Sequence, residues 1–173
     1  DAVMRLRAEY LYQKKAYDSI VFTFTNGTKA YYSTWRQGYR AQVNGNTVTW
    51  VKKAAVDTSY ACFRKYLNTV FMYCGTASLS KELTSISIWQ IKGGDVFIHG
   101  GFPGHAMIVM DVAIHPTTKK KVFMLAQSYM PAQDIHIVKN NANEELSPWY
   151  EIPENGILDT PEWTFEVAEL KRF

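Results

Sequence analysis

Three side chains of this sequence could together break an amide bond: the thiol of Cys62, the imidazole of His105 and the carboxamide of Gln127. A sulfur nucleophile needs a base to take its proton, and the base needs a third group that holds its ring in one tautomer and one orientation. Cys62 stands near the first turn of an expected helix, where unpaired amide N–H groups and the positive end of the helix dipole favour thiolate over thiol. His105 opens a short apolar run directly after Gly104, and Gln127 closes the next such run. If the two runs are antiparallel neighbours, the start of one meets the end of the other, and imidazole and carboxamide come together. Each residue also has a plainer reading. Cys62 fits a semi-buried helix cysteine, His105 a satisfied structural histidine, and Gln127 a partner for a buried backbone group.

Other residues could bind rather than react. Tyr31, Tyr32, Trp35, Arg36, Tyr39 and Arg40 crowd one short stretch, and aromatic and guanidinium groups combine apolar area with hydrogen-bond donors. Trp35 and Arg40, with Tyr129 after Gln127, are the candidates to line a substrate groove; plain aromatic packing is the alternative. Ser59 has a hydroxyl but is explained by helix capping. His99, His105, His115 and His136 lack the spacing of a metal site, so no metal and no cofactor is expected. Asp95 and Asp111 could pair as carboxylates, yet Asp95 follows Gly93-Gly94, where an Asx-type hydrogen bond is the ordinary explanation. The glycines at 100, 101 and 104 enter no helix, so they form no phosphate cradle, though they would allow a ligand close to the backbone beside His105.

The elements that must position these groups follow from periodicity. Val3, Leu6, Tyr10 and Leu11 recur at helical spacing over residues 2–15, with Arg5 and Glu9 as an i,i+4 pair. Strands are expected over 19–25 and 47–51, with turns at Asn26-Gly27 and Asn44-Gly45-Asn46. Capping residues Asp57, Thr58 and Ser59 precede an apolar stripe of Phe63, Leu67, Val70, Phe71 and Cys74 that ends at Gly75, which predicts a helix over 60–73. On that helix Cys62 projects with Tyr66 beside the stripe, and Cys74 lies within it. A short helix over 77–83 and an extended lead-in over 86–91 come next. Three apolar runs, at 94–98, 105–113 and 122–129, read as buried strands joined as a meander. Further strands are expected at 135–138 and 164–167, around a polar loop and a tail punctuated by Pro148, Pro153 and Pro161.

Composition sets bounds. At 173 residues, 47% apolar and 14% aromatic, the chain can bury a substantial core as a single domain over 1–173, which excludes disordered and fibrous classes. The net charge of +3 is small and its basic residues are scattered, which argues against nucleic acid as a partner. No apolar run is long enough to span a bilayer. Cys62 and Cys74 are about 18 Å apart along a common helix and cannot form a disulfide. The chain begins at Asp1 with a helical pattern at once, so an upstream segment is expected to precede it. Helices ahead of a mostly antiparallel sheet give an α+β class with helices packed on one sheet face. Oligomeric state is left open.

Two resemblances extend this reading. Cys62 at a helix start, Gly94-Asp95-Val96 leading a strand, Gly104-His105-Ala106-Met107-Ile108-Val109 leading the next, and Gln127-Ser128-Tyr129 remotely resemble the papain-like CHAP-type cell-wall amidases and endopeptidases. Over nearly its whole length the chain is similar to a bacterial family of unknown function, largely of secreted or lipoprotein-like proteins. The motifs are Arg5-Leu6-Arg7-Ala8-Glu9-Tyr10, Gly75-Thr76-Ala77-Ser78-Leu79, Gly94-Asp95-Val96-Phe97-Ile98 and Gln127-Ser128-Tyr129-Met130-Pro131-Ala132-Gln133. The first resemblance implies a papain-like fold and a cysteine hydrolase of amide bonds in cell-wall peptides, with Cys62 attacking, His105 moving the proton and Gln127 orienting the ring. The second implies an extracytoplasmic location, periplasmic or lipid-anchored. The Tyr60-Ala61 and Phe63-Arg64 neighbours of Cys62 depart from the small or polar ones usual in papain-like amidases. The same fold would also serve a non-catalytic protein that holds a peptide or glycan around His105, Gln127, Tyr129, Trp35 and Arg40.

Overall fold

A computed structural model describes residues 1–131 and 133–173; Ala132, inside the Gln127 to Gln133 motif, lies outside the described residues. The chain divides into two compact units, one of Asp1 and Val3–Leu79, the other of Ala2 and Ser80–Phe173. The class is α+β, and every strand pair among the described residues is antiparallel.

The first unit holds α1 (Ala2–Gln13), the hairpin β1 (Val21–Thr23) and β2 (Lys29–Tyr31), α2 (Tyr32–Arg36), the hairpin β3 (Tyr39–Asn44) and β4 (Thr47–Lys52), and α3 (Tyr60–Tyr73). The Arg5–Glu9 pair forms as expected, at 2.7 Å, and Tyr60 donates its hydroxyl hydrogen to the same carboxylate. Val3, Met4, Ala8 and Leu11 make the buried face of α1; Tyr10, expected on it, is 54% exposed. The α3 helix has the expected bounds because the Ser59 hydroxyl accepts the Cys62 N–H at 3.2 Å and caps its start. Its buried face corrects the projection: Cys62, Phe63, Tyr66, Leu67 and Val70 are buried, whereas Phe71 and Cys74 are only half-buried. The physical reason is Tyr66. Its ring behaves as core material once its hydroxyl donates to the Ala30 carbonyl at 2.7 Å, which turns the buried face toward Cys62.

The second unit is built on one sheet, to which α4 (Thr76–Glu82) leads. Its strands are β5 (Thr84–Ser85), β6 (Val96–His99), β7 (His105–Ile114), β8 (Lys121–Gln127), β9 (His136–Ile137) and β10 (Trp149–Glu151), with β13 (Leu170–Arg172) returning from the C-terminus. The order is β10-β8-β7-β6-β13-β5, and β9 also pairs with β8. Between them, β11 (Ile157–Asp159) and β12 (Thr164–Glu166) form a separate hairpin. The predicted meander is thus β6-β7-β8, buried on both faces where residues 96–98, 107–109 and 125–127 lie side by side, whereas Met110 and Ile114 farther along β7 are exposed. Phe97, Met107, Val109, Phe123 and Leu125 fill one face together with Phe165 and Leu170. The expected extended lead-in is instead a 3-10 turn, Ile88–Gln90, and β13 was not expected at all.

Asp95 explains why β13 is there. Its carboxylate does accept the Lys92 N–H at 2.8 Å, the Asx-type bond expected after a Gly-Gly turn. It is also wholly buried and clamped by Arg172, Nε to Oδ1 at 2.7 Å and Nη2 to Oδ2 at 2.9 Å. No carboxylate pair forms, since Asp111 is exposed and accepts the N–H of Val112.

Candidate functional site

The apolar face of the meander ends in two polar side chains. His105 begins β7 and Gln127 ends β8, on the same side as Met107, Val109, Phe123 and Leu125, so the antiparallel register brings them diagonally together. The His105 Nε2 to Gln127 Oε1 distance is 2.6 Å, and both residues are buried, His105 at 8% exposure and Gln127 at none. Gln127 Nε2 in turn donates to Glu162 Oε2 at 2.7 Å.

Aromatic rings surround the imidazole. Tyr129 meets it edge-on with centroids 5.2 Å apart, Trp163 is tilted against it at 5.6 Å, and Phe165 stacks at 6.1 Å. Burial among them pushes the imidazole pKa below its usual value, and the bond to Gln127 and the charge of Glu162 offset this in part. A buried, neutral imidazole held at Nε2 is equipped to accept a proton at its other nitrogen, and Nδ1 has no hydrogen-bond partner among the described residues.

The thiol belongs to the first unit, where Cys62 meets Trp35 and Arg40. Arg40 lays its guanidinium over the Trp35 ring at 4.1 Å and donates from Nη1 to the carbonyls of Trp35 and Tyr39, at 2.9 and 2.7 Å. Trp35 is buried against Tyr66, with centroids 6.0 Å apart. Its indole N–H lacks a nitrogen or oxygen acceptor among the described residues, and the Cys62 sulfur, a weak acceptor, is the group it bears on. The expectation that the helix start would favour a thiolate is overturned. Cys62 is 1% exposed, and burial, followed by the charge of Asp57, pushes its thiol up. Arg40, Trp35 and Lys65 pull the other way without reversing it.

The six residues singled out in the sequence therefore fall into two clusters, Cys62 with Trp35 and Arg40 in one unit, His105 with Gln127 and Tyr129 in the other. Sequence reasoning missed Glu162 and Trp163. Their signal was a tryptophan beside Pro161-Glu162 in a tail otherwise read as irregular packing. The remaining histidines have partners of their own: His99 bonds Glu169 at 2.6 Å, the His115 ring accepts the Thr117 and Thr118 N–H groups, and His136 Nδ1 lies 3.0 Å from the Asp134 carbonyl. No three His, Cys, Asp or Glu side chains are gathered to hold a metal ion among the described residues. Nor is any helix among them long and apolar enough to cross a membrane.

Compared with known proteins, the chain matches over residues 1–172 the model of a family described as "Domain of unknown function (4846)", and it belongs to that family. No curated protein and no solved structure matches it.

Proposed function

We propose that this protein is a cysteine hydrolase of amide bonds, acting on cell-wall peptides outside the cytoplasm, with a papain-like arrangement of roles. One observation carries the reading: the His105 imidazole, buried among aromatic rings, is held at Nε2 by the carboxamide of Gln127. That is the base and the orienting group such a reaction needs. Cys62 is assigned as nucleophile by the chemistry of a thiol. In the first step the imidazole takes the thiol proton, sulfur adds to the carbonyl carbon, and the amine leaves with that proton as the C–N bond breaks. Water then adds to the thioester carbonyl, the C–S bond breaks, and the acyl group leaves as the carboxylic acid while sulfur regains its proton.

The test is alkylation of native protein with iodoacetamide, followed by peptide mapping. Cys62 is expected to be labelled well before the half-buried Cys74, and His105→Ala should slow labelling at Cys62 alone. Equal labelling of the two thiols, or none, removes the reading.

A second reading has an observation of its own. The thiol is 1% exposed and pushed up by burial, which suits a protein that binds without cutting. The half-buried rings of Tyr129 and Trp163, packed against the His105 ring that Gln127 holds, would then bind a peptide or glycan. Under this reading cell-wall fragments change Trp fluorescence or raise the melting temperature while no product appears; inertness toward all of them eliminates it.

A further inference from the structure

Gln127 has an amide that can face either way, and which way it faces decides what His105 can do. An ionised carboxylate accepts hydrogen bonds and donates none. Glu162 Oε2, 2.7 Å from Gln127, therefore requires the NH2 side of the amide and leaves the carbonyl side for the imidazole 2.6 Å away. A carbonyl oxygen also only accepts, so Nε2 of His105 must carry the hydrogen, and the lone pair of the neutral ring is left on Nδ1. Turning the amide over would set two acceptor oxygens against each other at hydrogen-bond distance.

We infer that Glu162 is the positioning residue of this site: it fixes the Gln127 amide, and through it makes Nδ1 the proton-accepting nitrogen of His105. Glu162 touches neither the ring nor, in this scheme, the substrate. It acts across 35 residues of sequence, from the segment joining β11 to β12, on an amide at the end of β8. The inference rests on the proposed role of His105 for its chemical consequence, but the tautomer itself exists whether or not the protein turns over a substrate.

The experiment is 15N-edited NMR of histidine-labelled protein in a Cys62→Ala background, so that no thiol chemistry intervenes. Above the titration of the ring, His105 should show one pyrrole-like nitrogen at Nε2 and one pyridine-like nitrogen at Nδ1. In Glu162→Gln the new amide can donate or accept, so Gln127 is free to face either way, and the His105 signals should shift toward a mixture of both tautomers. Glu162→Ala, at an exposed position that leaves the core intact, should give the same shift. A merely structural role for Glu162 would change the melting temperature and leave the tautomer alone. A wild-type Nδ1–H form, or an unchanged Nε2–H form in both variants, overturns the inference. Failure of Cys62 to label while the tautomer shifts as described would instead sink the hydrolase reading and leave this one standing.

Discussion

Replacing Arg172 by Ala tests whether the charge pair behind the meander holds the second unit together. The Asp95 side chain is 1% exposed and Arg172 is 29% exposed, with two parallel N–H to oxygen bonds of 2.7 and 2.9 Å between them. Without the guanidinium, the Lys92 N–H is the one donor left to the Asp95 carboxylate among the described residues. Stranding a buried charge in this way costs about 3–5 kcal/mol, and the partly solvated arginine argues for the lower end, about 3 kcal/mol. For a chain of this size that lowers the melting temperature by roughly 6–12 °C. Asp95→Asn keeps an acceptor for Lys92 and removes the buried charge, so it should cost less. The double variant should then cost no more than Arg172→Ala alone, because no carboxylate is left stranded. Thermal and urea unfolding followed by circular dichroism on the four proteins give the cycle. If Arg172→Ala falls within about 1 kcal/mol of wild type, below the range for a broken buried pair, or if the single costs simply add, the pair is not a buried electrostatic unit and the argument fails.

Two further outcomes follow from the local chemistry. Ser59→Ala removes the side-chain cap of α3 and should cost about 1 kcal/mol, with Ser59→Asp retaining most of the stability; equal melting temperatures for all three proteins would show that the cap contributes nothing. Burial lowers the folded-state pKa of His105, so on acidification the unfolded chain takes up its proton first, and stability falls as pH drops below about 6.5, with no penalty above it. Against His105→Asn, the wild type should therefore lose ground only on the acid side of that value, and parallel stability–pH curves for the two proteins would refute the shift.

What was legible in the sequence was what has a local cause. The α3 helix announced itself through Ser59 at its start and the apolar spacing behind it, and the meander through three apolar runs broken by Gly and Lys. The His105 to Gln127 contact was legible too, because a short connection between consecutive strands leaves antiparallel pairing as the simplest option, and pairing fixes which ends meet. Glu162 and Arg172 reach their partners across 35 and 77 residues, and no period or turn signal records such a distance. The tyrosines misled for a different reason. Tyr10 and Tyr66 are the same residue type at helical positions, yet one is exposed and the other sealed in; what separates them is whether a carbonyl, here that of Ala30, waits for the hydroxyl.

That same burial sharpens the chemistry. An ordinary thiol is only a few per cent ionised at neutral pH, and one pushed up by its surroundings is less so. Burial and the charge of Asp57 outweigh Arg40, Trp35 and Lys65, so these surroundings do not favour the Cys62 thiolate. Any fast alkylation of Cys62 has to come from a base, and its dependence on His105 becomes the measurement that separates catalysis from binding. A slow Cys62 whose rate ignores His105→Ala would mean that the imidazole, its tautomer fixed through Gln127, serves recognition by the rings of Tyr129 and Trp163 instead.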